Sequence, residues 1–255
     1  MGKGAVRMTA RAELRRYERQ VMIEGFGGEG QERLRKAKVV VAGAGGLGSV
    51  ISIYLAVAGV GKIRLIDHDR VELGNLNRQV LYGDQDIGRA KVDSAREKLE
   101  SLNPEVTVEA VRETITEGSA FELVDGCDLI VDAMDNFGAR YILNKVAIDR
   151  GIPFFHGAVR GFEGRATTIV PGQTACLRCV YARAPQPEAA PVIGVAPAVI
   201  GSIQATEVIK YIVGIGELLM NRLLIYDGLS LEFMEMKLKR RPDCEECQHL
   251  IGGTE

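Results

Sequence analysis

Neither sign of charge dominates this chain of 255 residues: its net charge is −2 and its pI is near 6.0, so it carries no electrostatic footprint for nucleic acid or an acidic membrane surface. No stretch of about 18 residues is both apolar and free of charge. The N-terminus, with Lys3, Arg7, Arg11, Glu13, Arg15 and Arg16, lacks the apolar core of a signal peptide, and a soluble, cytoplasmic protein is expected. Histidine is scarce: His68, His156 and His249 are the only three, and none stands where it would polarise a substrate, so each reads as structural or surface. There is no internal repeat. Cysteine is sparse and odd in number, five in all, but four form two C-x-x-C pairs, which suits a reducing compartment and a metal better than a disulfide framework. With 46% hydrophobic residues the chain can bury one large α/β core.

What is present is organised around residues 38–69. Lys38 to Gly43 is an almost uninterrupted apolar, β-branched run, as expected of a strand buried on both faces. Gly43-Ala44-Gly45-Gly46-Leu47-Gly48 then satisfies G-x-G-x-x-G and opens an apolar helix ending near Gly59 and Gly61. A second strand, Lys62 to Asp67, closes a βαβ unit of the size that binds nucleotides. The glycines allow a tight turn and close ligand approach, so that free N–H groups at the helix start face a phosphate, while Asp67 stands where it can accept from ribose hydroxyls.

Upstream, Thr9 is expected to cap an arginine-rich helix from Arg11 to Arg19, and a glycine-rich connection leads to a short helix from Gln31 to Lys36. Downstream, a polar loop runs to a helix beginning at Lys91, near the carboxyl edge of the sheet. Val92, Ala95, Leu99 and Leu102 share one face of that helix. Strands at Thr107 to Val111 and Asp128 to Asp132 flank a short helix at Ser119 to Val124, and a longer helix passes through Tyr141 and Ile148. Because open parallel sheets bind ligands at the carboxyl ends of their strands, the glycines, Asp67 and Asp135 should converge. From Pro153 the pattern becomes strands joined by turns, then a proline-rich loop, an apolar helix from Pro197 to Val213 and a hairpin around Asp227-Gly228. The expectation is a single domain, 1–255, with a Rossmann-like, mostly parallel α/β sheet continued by an antiparallel part: an N-terminal helical segment (1–37), a nucleotide-binding core (38–150) and a zinc-stapled remainder (151–255).

Cys176/Cys179 and Cys244/Cys247 can supply four thiolates to a closed, structural zinc site. A thioredoxin-like pair would open a helix in a βαβ unit, whereas these pairs sit in loop-like sequence. Zinc there would staple the middle of the chain to its tail, with apparent binding energy on the order of 10 kcal/mol as in small zinc peptides. Cys127 precedes a buried strand and reads as a small core residue.

Taken together, RYERQ (Arg16 to Gln20), GAGGLGS, IDHDRVELGNLNRQ (Ile66 to Gln79), Lys91, DAMDNF (Asp132 to Phe137), the cysteine pairs and GSIQATEVIK (Gly201 to Lys210) resemble the ThiF/MoeB/HesA superfamily, the ubiquitin-activating-enzyme-like adenylyltransferases. The resemblance spans nearly the whole chain and implies a homodimer that uses ATP and Mg²⁺ to adenylate the C-terminal glycine of a ubiquitin-like sulfur carrier ending in Gly-Gly. Such carriers serve molybdopterin, thiamin or thiolation pathways, and residues 151–255 would bind the carrier. It implies that Gly43, Gly45, Gly46, Gly48, Asp67 and Asp69 surround ATP, that Asn75, Arg78, Gln79 and Lys91 contact the nucleotide and its phosphates, and that Asp135, with Asn136, completes the site and holds Mg²⁺. Arg19 would reach into the partner subunit's site. The chemistry needs no triad: a carboxylate with a pKa of roughly 3.5 is already ionised at neutral pH, so what remains is positive charge over the triphosphate and in-line positioning. Arg19, Arg78, Lys91 and a cation on Asp135 would supply that charge.

Two departures stand out. The loop APQPEAAPVIGVAPAVIGS holds no thiol near Ala190, where many relatives have an acceptor cysteine, so the acyl-adenylate is expected to pass directly to an external sulfur donor or nucleophile. Gly74 stands where relatives often have serine, a loss of about one hydrogen bond, roughly 1 kcal/mol. The rival readings are an NAD-dependent oxidoreductase on the same βαβ unit, which leaves Arg78, Lys91 and Asp135 without a role, and a non-catalytic binder of a ubiquitin-fold protein.

Overall fold

In the computed structural model, which describes residues 15–183 and 191–251, the N-terminal segment contributes α1 (Glu18–Val21) and α2 (Gly27–Lys36). The core follows as β1 (Lys38–Ala42), α3 (Gly46–Ala58), β2 (Lys62–Ile66), α4 (Lys91–Leu102), β3 (Thr107–Val111), α5 (Ala120–Val124), β4 (Leu129–Asp132) and α6 (Phe137–Arg150). Between β2 and α4 two short 3₁₀ turns, Leu73–Asn75 and Asp84–Asp86, shape a polar loop. Then come β5 (Phe154–Arg160), β6 (Glu163–Ile169), α7 (Leu177–Val180), α8 (Val195–Val213), β7 (Arg222–Asp227) and β8 (Glu232–Lys237).

Among the described residues the strands form one eight-stranded sheet in the order β3-β2-β1-β4-β5-β6-β7-β8. β3 through β5 in that order pair in parallel, and β5 to β8 pair antiparallel. β5 is the pivot, with His156 in register beside Asp132 of β4. Alternation along the strands sorts the core to the two sheet faces. Val39, Val41, Ile63 and Leu65 pack with Ile51, Leu55, Leu99 and Ile200 of α3, α4 and α8. Val40, Ala42, Ile66 and Ile130 pack with Leu123, Leu143 and Val146 of α5 and α6. With helices covering both faces, β1 is buried at all but its first residue, which is why it needs an unbroken apolar run. The chain reverses strand order about β1, which opens a crevice at the carboxyl ends of β1 and β4.

Several expected elements are redrawn. Most of the arginine-rich helix and its cap at Thr9 lie outside the described residues. Within them Tyr17 interrupts the helix, because its ring is buried and its hydroxyl meets Glu105 and Asn103. The glycine-rich connection before Gln31 is helical: Gly30 packs so closely on α8 that a Cβ there would lie 2.8 Å from Val213 Cγ1, a packing role that composition reads as a loop. Cys176 caps the one-turn helix α7 instead of lying in a loop. The β7–β8 hairpin is present, its turn occupying residues 228–231, with Asp227 Oδ1 accepting from the amide of Leu229. No helix among the described residues is long and apolar enough to cross a membrane.

Candidate functional site

The glycine loop connects β1 to α3 at the crevice. Gly43 has φ +102°, and a Cβ there would sit 2.6 Å from Ala133 O, so only glycine lets the loop close against the end of β4. Gly48 lies so near the loop that a Cβ would fall 1.9 Å from Gly43 O, which seats the first turn of α3 against the strand. Gly45 precedes that turn without any side-chain cap, so the leading N–H groups of a 13-residue helix are free for an anion. Asp67, after β2, braces the loop: Oδ2 accepts from the Ala44 amide at 2.8 Å and Oδ1 from the Asp69 amide at 2.8 Å. Tyr82 donates its hydroxyl to Ala44 O at 2.8 Å. Burial, with Asp67, Asp86 and Asp69 nearby, holds the phenol pKa far above its ordinary value, so it remains a donor.

The polar loop 70–90 folds over this opening. Asn75 closes a capping box with its own turn, Oδ1 accepting from the Glu72 amide at 3.1 Å. Arg78 Nη1 donates to Gly74 O at 2.8 Å and Asn77 Oδ1 at 3.0 Å, so its guanidinium rests on its own loop, while its backbone oxygen borders Gly46. Nothing lies within 4 Å of a Cβ placed on Gly74. Gln79 is buried beside Gly45, and its Oε1 has no partner among the described residues. Lys91 is buried and donates Nζ to Asp69 Oδ2 at 2.8 Å. Partial burial acts to raise the Asp69 carboxyl pKa, but the hydrogen bond and charge of Lys91, helped by His68, outweigh it and hold it below the ordinary value.

Asp135 follows β4 on the other side of Gly43. It is exposed, touched by Asn136 Nδ2 at 3.3 Å, and therefore free to take a cation. Asn136 is the N-cap of α6, Oδ1 accepting from the Ala139 amide at 2.9 Å, a structural task that sequence alone left unnamed. The turn carrying Asp135 rests on a buried polar cluster missed at the sequence level: Asp132, Arg140 and His156. The signals were a histidine inside an apolar strand and a second aspartate three residues before Asp135.

The structure does not bring Arg19 to this site within one subunit. α1 docks at the far end of α3, where Gln20 Nε2 donates to Ala58 O at 2.8 Å. Ala58 ends α3 and the glycine loop begins it, a separation of about 20 Å for a helix of this length. Arg19 itself is exposed.

The four cysteines do come together. Cys176 Sγ lies 3.8 Å from Cys179 Sγ and 3.6 Å from Cys244 Sγ, and Cys179 Sγ lies 3.6 Å from Cys247 Sγ. Sulfurs at about 2.3 Å from a tetrahedral zinc stand about 3.8 Å apart, so the cluster has the dimensions of a Cys₄ site. Burial raises the Cys176 thiol and pushes Cys247 up to about 12, a cost that a dication would offset. Asp67, His68 and Asp69 also bring ligand atoms within 4.8 Å of one another, but the two carboxylates are already engaged by backbone amides and Lys91.

Comparison with known proteins gives the same picture from outside the chain. The profile described as the ThiF family matches residues 17–246. The SAMP-activating enzyme E1 of Haloferax volcanii is 44% identical over 249 residues, covering 95% of this chain and 91% of its own length. The sulfur carrier protein adenylyltransferase of Thermus thermophilus is 43% identical over 246 residues, covering 92% and 91%. Among solved structures, E. coli MccB with ATP superposes with a TM-score of 0.82 at 27% identity, over 91% of this chain and 74% of that one.

Proposed function

The chain belongs to the ThiF family, and from that premise we propose that it is an ATP-dependent adenylyltransferase acting on the C-terminal glycine carboxylate of a ubiquitin-like sulfur-carrier protein. The carboxylate oxygen bonds to the α-phosphorus of ATP, the bond to the bridging oxygen breaks, and pyrophosphate leaves. The activated carrier then serves sulfur transfer in molybdopterin, thiamin or related thiolation chemistry. Support comes from the relatives' adenylyltransferase and carrier-activating names together with one geometric observation: a glycine loop braced by Asp67 opens directly beside the buried cation of Lys91.

Each group has a physical task. The free amides at the start of α3 cradle phosphate, and Asp67 keeps them aimed. Lys91 and Arg78 stabilise charge that shifts onto the leaving pyrophosphate; Arg78 has only to swing off Gly74 O to do so. Asp135 would hold Mg²⁺, which when bound neutralises the phosphate oxygens. Since the nucleophile is already ionised, no general base is required. Cys176, Cys179, Cys244 and Cys247 would hold zinc in a structural role. Arg19, far from its own subunit's loop, would serve the site of a partner in a homodimer. With no cysteine between Val180 and Gly194, the acyl-adenylate passes to an external sulfur donor without an in-chain thioester. A nicotinamide reading of the same βαβ unit leaves the Lys91–Asp69 pair and Asp135 idle.

The deciding measurement is ATP–pyrophosphate exchange in the presence of carriers ending in Gly-Gly. Exchange should depend on a carrier, and Asp135→Ala should abolish it while the thermal melt is preserved. Near-normal exchange by that variant removes Asp135 from the mechanism, and a thiol-sensitive covalent adduct with the carrier would show that an in-chain cysteine is used after all.

A further inference from the structure

The polar cluster beneath the Asp135 turn has no place in the reading so far, and its cost demands a purpose. Asp132 and His156 are 0% exposed and Arg140 only 5%. His156 Nδ1 lies 2.7 Å from Asp132 Oδ2. An ionised carboxylate only accepts, so Nδ1 carries the proton, and Nε2 is left with a lone pair that finds no partner among the described residues. Burial lowers the imidazole pKa against the pull of Asp132, which keeps the ring neutral. A histidine placed there only to fill the core would be better replaced by phenylalanine, which leaves no orphaned nitrogen.

Two of the remaining bonds converge on one residue, Met134. Asp132 Oδ1 accepts from the Met134 amide at 3.0 Å, and Arg140 Nη2 donates to Met134 O at 2.6 Å and to Gly157 O at 3.0 Å. Both backbone polar groups of the residue before Asp135 are thus held by the cluster. Arg140 Nε stands 3.3 Å from Asp132 Oδ2 without hydrogen-bond alignment, on the same oxygen that His156 Nδ1 meets at 2.7 Å. Remove the imidazole donor, and Arg140 can close onto Asp132 as a bidentate pair, taking Nη2 off Met134. The His156 ring also makes a T-shaped contact with Tyr181, centroids 5.6 Å apart and planes at 69°.

We propose that His156 is a positioning residue for adenylation: by donating Nδ1–H to Asp132 it keeps Arg140 on Met134 and so aims the Asp135 carboxylate at the divalent cation that accompanies ATP. This rests on the reading of Asp135 given above. Outer-shell partners of metal ligands commonly govern metal affinity in this way, by about 10- to 100-fold.

Isosteric exchange separates positioning from packing. His156→Asn places an amide donor where Nδ1 stands; His156→Gln places it where Nε2 stands; His156→Phe keeps the volume and has no donor. Mn²⁺ binding to the protein in the presence of a methylene-bridged ATP analogue, followed by electron paramagnetic resonance, is the readout, with affinity for the analogue without metal and the thermal melt measured alongside. Gln and Phe variants should bind Mn²⁺ roughly tenfold or more weakly, Asn within about twofold of the parent, and metal-free analogue affinity should stay within about twofold throughout. The proposal is overturned if Asn is as impaired as Phe, if Phe and Gln match the parent, or if metal-free affinity falls in parallel. Asp135→Asn distinguishes the two levels: unaltered Mn²⁺ binding in that variant ends the reading of Asp135 and this inference with it, whereas weakened binding there beside a normal Phe variant ends this inference alone.

Discussion

At the residue scale the site joins a buried, paired cation, Lys91, to an exposed carboxylate, Asp135. Lys91 is 5% exposed, and burying an ammonium without a partner is costly; Asp69 supplies that partner at 2.8 Å. The pairing has a pH signature. Burial works to raise Asp69, Lys91 and His68 more than reverse it, and the net pKa is lowered in the folded state. A carboxyl whose folded value lies below its unfolded one, about 3.9, contributes stability that is complete above that value and is lost as pH falls through the folded one. Asp69→Asn should therefore lower stability at neutral pH by about 1 kcal/mol, since Asp69 is half exposed and screened, and flatten the acid-side loss; melts from pH 7 down to pH 3 test both. The positions of Lys91 and Asp135 were legible in the sequence, the first at the start of an amphipathic helix after a polar loop, the second just after a strand whose apolar run is unmistakable. His156 was not, because a histidine between Phe155 and Gly157 has the surroundings of any core residue, and only the register with Asp132 gives it a task.

At the element scale the parallel half explains itself, and the half that carries the four clustered cysteines does not. β1, α3 and β2 follow from β-branched runs, a glycine loop and an apolar helix, each local property agreeing with the fold. α7 is four residues long and could not stand alone, and β8 is exposed along its whole length. The segment after β8 returns to α7 through Cys244 and Cys247, with Ile148 and Leu250 as the apolar remainder of a very small cluster, and otherwise through a few polar contacts such as Arg178 with Glu246 at 3.7 Å and Arg240 with Thr174 O at 3.0 Å. Metal binding should therefore supply much of the local stability. Chelation, or Cys244→Ser, should cost about 3 kcal/mol and lower the melting temperature by roughly 6–12 °C, with exchange at low temperature less affected than the melt. A variant that melts like the parent and retains its metal content would show that three thiolates suffice. Where composition misled, the cause was geometric: Gly30 signals a loop by type, yet it is a contact between α2 and α8 that no side chain would fit.

At the scale of the whole molecule, the positions of α1 and the glycine loop at opposite ends of α3 put Arg19 out of reach of its own subunit's nucleotide. If Arg19 serves a partner's site, a mixture of Arg19→Ala and Lys91→Ala subunits, each inactive alone, should recover about a quarter of parental exchange, because half of the randomly assorted dimers hold one intact site. No recovery after confirmed subunit exchange would remove Arg19 from the partner's site, and an Arg19→Ala chain active on its own would remove it from the chemistry. The succession of strands and helices along the chain, the glycine loop and the two cysteine pairs were all decided by the sequence, since each depends on residues close together in the chain or on residue types with few common uses. The convergence of Asp67, Gln79 and Ala133 on a single loop, the task of His156 and the exclusion of Arg19 from its own site were decided only by tertiary structure. Those relations join residues from different strands and from opposite ends of one helix, and no local periodicity carries the distance between them.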